Sequence, residues 1–73
     1  MSEQRTVEIS VELSEPGVAM QLAQFCKRST FDIFYELTEA HLTKEERTET
    51  AYQMIAGIEA VARALADKGY SPR

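Results

Sequence analysis

The sequence predicts an α+β fold, mostly α, in which one N-terminal strand is followed by two or three helices (β-α-α) and the strand is paired across a homodimer. Three observations carry that expectation: strict apolar alternation near the N-terminus, helical spacing through the rest, and the lack of a second strand-like run. A single domain, residues 1–73, is expected.

Residues 1–5 form a polar arm, and residues 6–13 read TVEISVEL. Val7, Ile9, Val11 and Leu13 alternate with Glu8, Ser10 and Glu12, the pattern of a half-buried strand rich in β-branched side chains. A lone strand leaves its amides and carbonyls unpaired. The same strand of a second copy, antiparallel about a two-fold axis, would satisfy them.

Residues 15–42 follow as one helix or a kinked pair, a kink at Ser29 and Thr30 being favoured. Ser14 is the expected N-cap, with Glu15 and Pro16 in the first turn. Val18, Leu22, Phe25 and Cys26 make an apolar stripe, and Lys27 and Arg28 suit the C-terminal end of the first piece. Phe31, Ile33, Phe34, Tyr35 and Leu37 supply the second piece, which is expected to end near His41 and Leu42.

The long helix spans residues 44–68. Thr43 and Glu46 form a capping box at its start, and Gly69, Lys68 and Pro72 mark its stop. Ala51, Met54, Ile58, Val61 and Leu65 define its apolar face, while Glu59 and Arg63 pair on the other. Ala56, Gly57, Ala60 and Ala64 make a track of small residues, and Gly57 implies a close backbone approach by the first helix or by a partner helix.

Composition narrows the function classes. A chain this short buries only about 60% of its unfolded surface, so its core is thin. With one cysteine and no Cys/His cluster, neither a disulfide nor a zinc ion staples it, and association of subunits is the expected remedy. No apolar run reaches membrane-spanning length and the first residues lack a signal-peptide layout, so no membrane association and a cytoplasmic location are expected. The formal net charge of −4 disfavours direct nucleic-acid binding.

No residue set supports catalysis, a metal or a cofactor. His41, even with Glu36, Glu39 or Glu45, has no second His or Cys to complete a transition-metal shell. Cys26 falls on an apolar stripe, where a thiol acts as a small hydrophobe. The carboxylates of Glu45, Glu46 and Glu49 sit among Lys44 and Arg47 in an exposed first turn, the reverse of the setting that tunes a catalytic dyad. The candidate partner-binding residues are therefore Glu8 and Glu12 on the strand, Phe31, Phe34 and Tyr35, and the acidic turn of Glu45, Glu46 and Glu49.

The order of strand, helix and helix resembles the ribbon-helix-helix regulators, whose paired strands read the major groove, although Glu8, Ser10 and Glu12 stand where that family needs basic or amide side chains. That resemblance implies a dimeric transcriptional regulator. Leu22-Ala23-Gln24-Phe25 with Lys27-Arg28, then Phe31, Ala51-Tyr52 with Met54, Ala64-Leu65-Ala66, Gly69-Tyr70 and Pro72-Arg73 resemble a family of small uncharacterised bacterial proteins often carried on mobile elements. This second resemblance implies an accessory protein of a phage or integrated element, of which anti-CRISPR inhibitors are one kind. The expectation is a non-enzymatic, acidic protein-binding module that forms a homodimer and engages a basic protein surface.

Overall fold

The computed structural model describes residues 5–71, so the first four residues of the expected arm, and Pro72 as a helix stop, lie outside the described residues. Three helices follow one another: α1 (Pro16–Arg28), α2 (Phe31–Glu36) and α3 (Lys44–Asp67).

Among the described residues there is no strand, which corrects the β-α-α expectation and the pairing assigned to Val7, Ile9, Val11 and Leu13. Residues 5–13 have no regular structure. Alternation records which side chains could share a face, but a ladder also needs a second row of donors and acceptors. Nothing among the described residues provides one. Val7, Ile9 and Val11 are accordingly 80%, 75% and 67% exposed. Leu13 alone turns inward, against the contact between α1 and α3.

Helix α1 starts one residue later than Ser14 implied. Pro16 occupies the first turn with its fixed φ and pushes the residue before it into extended backbone, so Glu15 becomes the N-cap at φ −164° and ψ 162°. Its C-terminal end falls at Ser29, whose hydroxyl donates to the Phe25 carbonyl at 2.8 Å. Thr30 caps α2 through its backbone position alone, with no side-chain bond.

Helix α2 stops at Glu36, six residues short of the expected end. The reason is a side-chain network. Thr38 Oγ1 donates to the Tyr35 carbonyl at 2.6 Å, and Arg47 of α3 donates from Nε to Thr38 Oγ1 at 2.7 Å and from Nη2 to the same carbonyl at 3.0 Å. These bonds satisfy the last turn of α2 from outside and redirect the chain toward α3. Thr38 is buried, so losing its partner is costly. Arg47→Met is expected to lower stability by about 1.5–3 kcal/mol in urea unfolding. Arg47→Lys should restore less than half of that, because an ammonium on a flexible stem cannot hold two acceptors and lie over a ring at once.

Helix α3 is delimited by side chains at one end and by backbone at the other. The Thr43 hydroxyl accepts the Glu46 amide at 3.1 Å while the Glu46 carboxylate accepts the Thr43 amide at 2.9 Å. At the far end Gly69 takes φ +94°, its amide donates to Ala66, and the Tyr70 amide donates to Leu65, both at 2.9 Å. This is a Schellman motif, and the Tyr70 ring completes it by packing on the cluster around Leu65.

Packing happens at two separate places along α3. Near its C-terminal end, Ala19 and Ala23 of α1 meet Leu65, with Leu13, Leu22, Val61 and Tyr70 around them. Toward its N-terminal end α2 packs on α3, where Phe34 of α2 is buried and Ala51 of α3 is fully buried. Helices α1 and α2 both pack on α3 and not on each other. The stripe expected of α1 is rotated: alanines make the contact, Leu22 and Cys26 are half-buried, and Val18 and Phe25 face solvent. Small side chains allow the two helix backbones to approach closely, so the tightest contact is made by the least hydrophobic members of the face.

Gly57 costs about 1 kcal/mol relative to alanine in a helix interior. No part of the described chain explains it. A Cβ built there would meet nothing within 4 Å, so the approach by α1 expected from the sequence does not occur.

Candidate functional site

The α2–α3 end gathers the aromatic residues. Phe31 and Tyr35 are one helical turn apart on α2, and their ring centroids lie 5.9 Å apart. Tyr52, at a position next to the buried Ala51 and so rotated toward solvent, brings its ring to 5.2 Å from Phe31. Both pairs are tilted by 42°, within the favourable offset range for aromatic contacts. The Arg47 guanidinium sits over the Tyr35 ring, 4.4 Å from its centroid. The result is a row: Tyr52, Phe31, Tyr35, Arg47.

Beside this row lies an open depression of about 550 Å³, lined by Lys44, Glu45, Thr48, Glu49 and Tyr52. All five lie on α3, and Tyr52 is the link between this depression and the α2 aromatics, through its contact with Phe31. Among the candidates the roles differ. Phe34 is 6% exposed and belongs to the core. Glu46 is engaged in the capping box. Glu45 and Glu49 are exposed at the rim of the depression, and Tyr52 is 61% exposed.

Glu8 and Glu12 are elsewhere. They are exposed on the segment before α1, whose Val7, Ile9, Val11 and Leu13 border a groove formed with α1 and the second half of α3. The acidic set is therefore divided between the two ends of α3. Its Glu45 and Glu49 share a surface with aromatics, and its Glu8 and Glu12 do not.

Sequence reasoning missed Tyr52 and Arg47 as parts of this surface. Tyr52 enters the sequence reading only through the family resemblance, and Arg47 only among the charges of an exposed turn. A signal existed: Arg47 and Ala51 are four apart, so the side of α3 that presents a buried alanine to α2 also presents the guanidinium. Tyr52 follows Ala51 by one position, which turns it about 100° away from the contact.

The remaining candidates stay apart from this surface. Cys26 is half-buried on α1, and burial pushes its thiol up from the ordinary value, partly opposed by a backbone hydrogen bond. A thiol moved in that direction holds less thiolate, the reactive form. His41 is exposed in the turn between α2 and α3. No group of three or more His, Cys, Asp or Glu among the described residues is arranged to hold a metal ion. Among the same residues, no helix is long and apolar enough to cross a membrane.

No curated protein and no solved structure matches the chain significantly. A family model does match, over residues 1–73, and the chain belongs to that family, a family of unknown function designated DUF7706.

Proposed function

We propose that this chain is a non-enzymatic, cytoplasmic protein-binding module that engages a basic protein surface through the α2–α3 end. The observation that carries the reading is the convergence of Glu45, Glu49 and the exposed Tyr52 at one open depression, backed by the Phe31 ring. Carboxylates at a rim attract Lys and Arg side chains and orient the encounter. Aromatic faces next to them hold the aliphatic stems and the cationic heads of those same residues. Because Arg47 is tied to Thr38 and to the Tyr35 carbonyl, the aromatic row is preorganised before any partner arrives.

A narrower form of this reading draws on the mobile-element resemblance of the sequence. The module would then be an inhibitor of a nucleic-acid-handling complex, of the anti-CRISPR kind, occupying a basic groove that otherwise holds a phosphate backbone. Direct contact with nucleic acid is not part of the proposal, given the net charge of −4.

The test uses the chain as affinity bait in host extract at low and high salt, followed by binding measurements on the purified partner. Binding is expected to weaken as salt rises, and Glu45→Lys combined with Glu49→Lys should slow association. Tyr52→Ala should weaken the affinity roughly tenfold or more. For the narrower form, adding the chain should displace nucleic acid from the partner. A partner whose affinity ignores salt and both sets of substitutions would count against the reading, as would specific retention of DNA by the chain alone.

A further inference from the structure

The depression at Tyr52 is more selective in its chemistry than an acidic surface in general. Its charged lining residues are Lys44, Glu45 and Glu49, two carboxylates against one ammonium. The excess is a single negative charge, which one cation complements. Glu46, the third acid of this turn, is held in the capping box, whereas Glu45 and Glu49 are exposed.

Along α3, Lys44, Thr48 and Tyr52 follow one another at steps of four, and Glu45 and Glu49 make the row beside them. Side chains of a helix lean toward its N-terminus, so the Tyr52 ring reaches back over the turn that carries Thr48 and Glu49. All three line the one depression, in keeping with that direction. Glu49, three positions before Tyr52, is the carboxylate beside the ring. Glu45 and Lys44 stand about two turns away from it.

The protein already holds one guanidinium against a ring of the same aromatic row. Arg47 lies 4.4 Å from the Tyr35 centroid while its Nε and Nη2 donate to the Thr38 hydroxyl at 2.7 Å and to the Tyr35 carbonyl at 3.0 Å. One planar group thus meets a ring with its face and two acceptors with its edge. At the other end of the row Tyr52 offers a ring that is 61% exposed, Glu49 offers two acceptor oxygens, and the lining contains no arginine.

An ammonium suits this setting less well. It is a compact, strongly hydrated charge, and in a depression open to water it keeps its hydration shell. A guanidinium is more weakly hydrated, stacks on an aromatic face and presents a fork of N–H donors that matches a carboxylate.

We infer that the depression takes the guanidinium of a partner's arginine in preference to a lysine ammonium, stacked on Tyr52 with its N–H edge toward Glu49, while Glu45 supplies longer-range attraction. This preference rests on the reading of the α2–α3 end as a partner surface, and it names the residue type at the centre of the contact.

Hexa-arginine and hexa-lysine peptides carry the same charge, so together they separate the guanidinium from charge alone. In NMR titrations of the full chain, hexa-arginine is expected to move the Thr48, Glu49 and Tyr52 signals and to bind about three- to fivefold more tightly than hexa-lysine. Tyr52→Leu keeps an apolar side chain but removes the ring; it should bring hexa-arginine down to the level of hexa-lysine and leave hexa-lysine nearly unchanged. Should that variant not fold, Glu49→Gln at an exposed position decides the matter by narrowing the gap between the peptides, whereas Glu45→Gln should weaken both alike. Equal binding of the two peptides at these residues overturns the preference and leaves the partner surface standing. A loss that both peptides share equally in Tyr52→Leu overturns it too. If neither peptide moves the Thr48, Glu49 and Tyr52 signals, the preference and the partner surface fall together.

Discussion

Phe34→Ala should detach α2 from α3 and lower stability by about 3–5 kcal/mol, the cost of removing a buried aromatic ring and leaving its cavity. That is a large share of the roughly 4–11 kcal/mol expected for a chain of this length. The expectation is high because the core is so sparse. Of the five buried apolar residues among those described three are alanines, so Phe34 and Leu65 are the large side chains of the buried set. At the α2 end no other large side chain is buried to share the loss. Thr38 and the Arg47 network would then be held over a void, and their hydrogen bonds should weaken with it. Urea unfolding gives the magnitude, and amide hydrogen exchange gives the location: protection should fall in α2 and persist in α1. A loss below about 1 kcal/mol, in the range of an exposed substitution, would show that Phe34 does not anchor the helix.

Leu65→Ala should cost about 2–5 kcal/mol and act at the opposite end. Leu65 is 7% exposed and stands where Ala19 and Ala23 of α1 close on α3. Alanines cannot extend to refill the space it vacates. Leu13, Leu22, Val61 and Tyr70 pack around that contact, so the cavity should loosen the N-terminal segment and the Schellman turn together. Here exchange protection should fall in α1 and persist in α2. Leu65 also lines the groove between the N-terminal segment, α1 and α3, which its removal should widen. Uniform loss of protection in both variants would mean that the two packing regions fold as one unit.

Helix positions were legible because their signals are local. The capping box of Thr43 and Glu46, the left-handed Gly69 and the break at Ser29 each depend on neighbours within a few residues. Alternation from Val7 to Leu13 is also local, but a strand exists only where another chain segment bonds to it, and that cannot be read from the run itself. Burial was misjudged for a related reason. Side-chain size gave Val18 and Phe25 to the core, while crossing geometry chose Ala19 and Ala23. At the candidate surface, Phe31, Tyr35, Glu45 and Glu49 were identifiable from residue type. Their proximity, and the parts taken by Arg47 and Tyr52, required knowing that α2 folds back on α3. Phe34 and Glu46 share residue type with those site members yet serve packing and capping, a division no pattern in the chain announces.

Since α1 and α2 each rest on α3 and not on each other, the two packing regions are joined only by the two-residue link at Ser29 and Thr30 and by one helix of 24 residues. Local opening can then be confined to one region: α1 can fray from Leu65 while α2 keeps Phe34 buried and Phe31 against Tyr52.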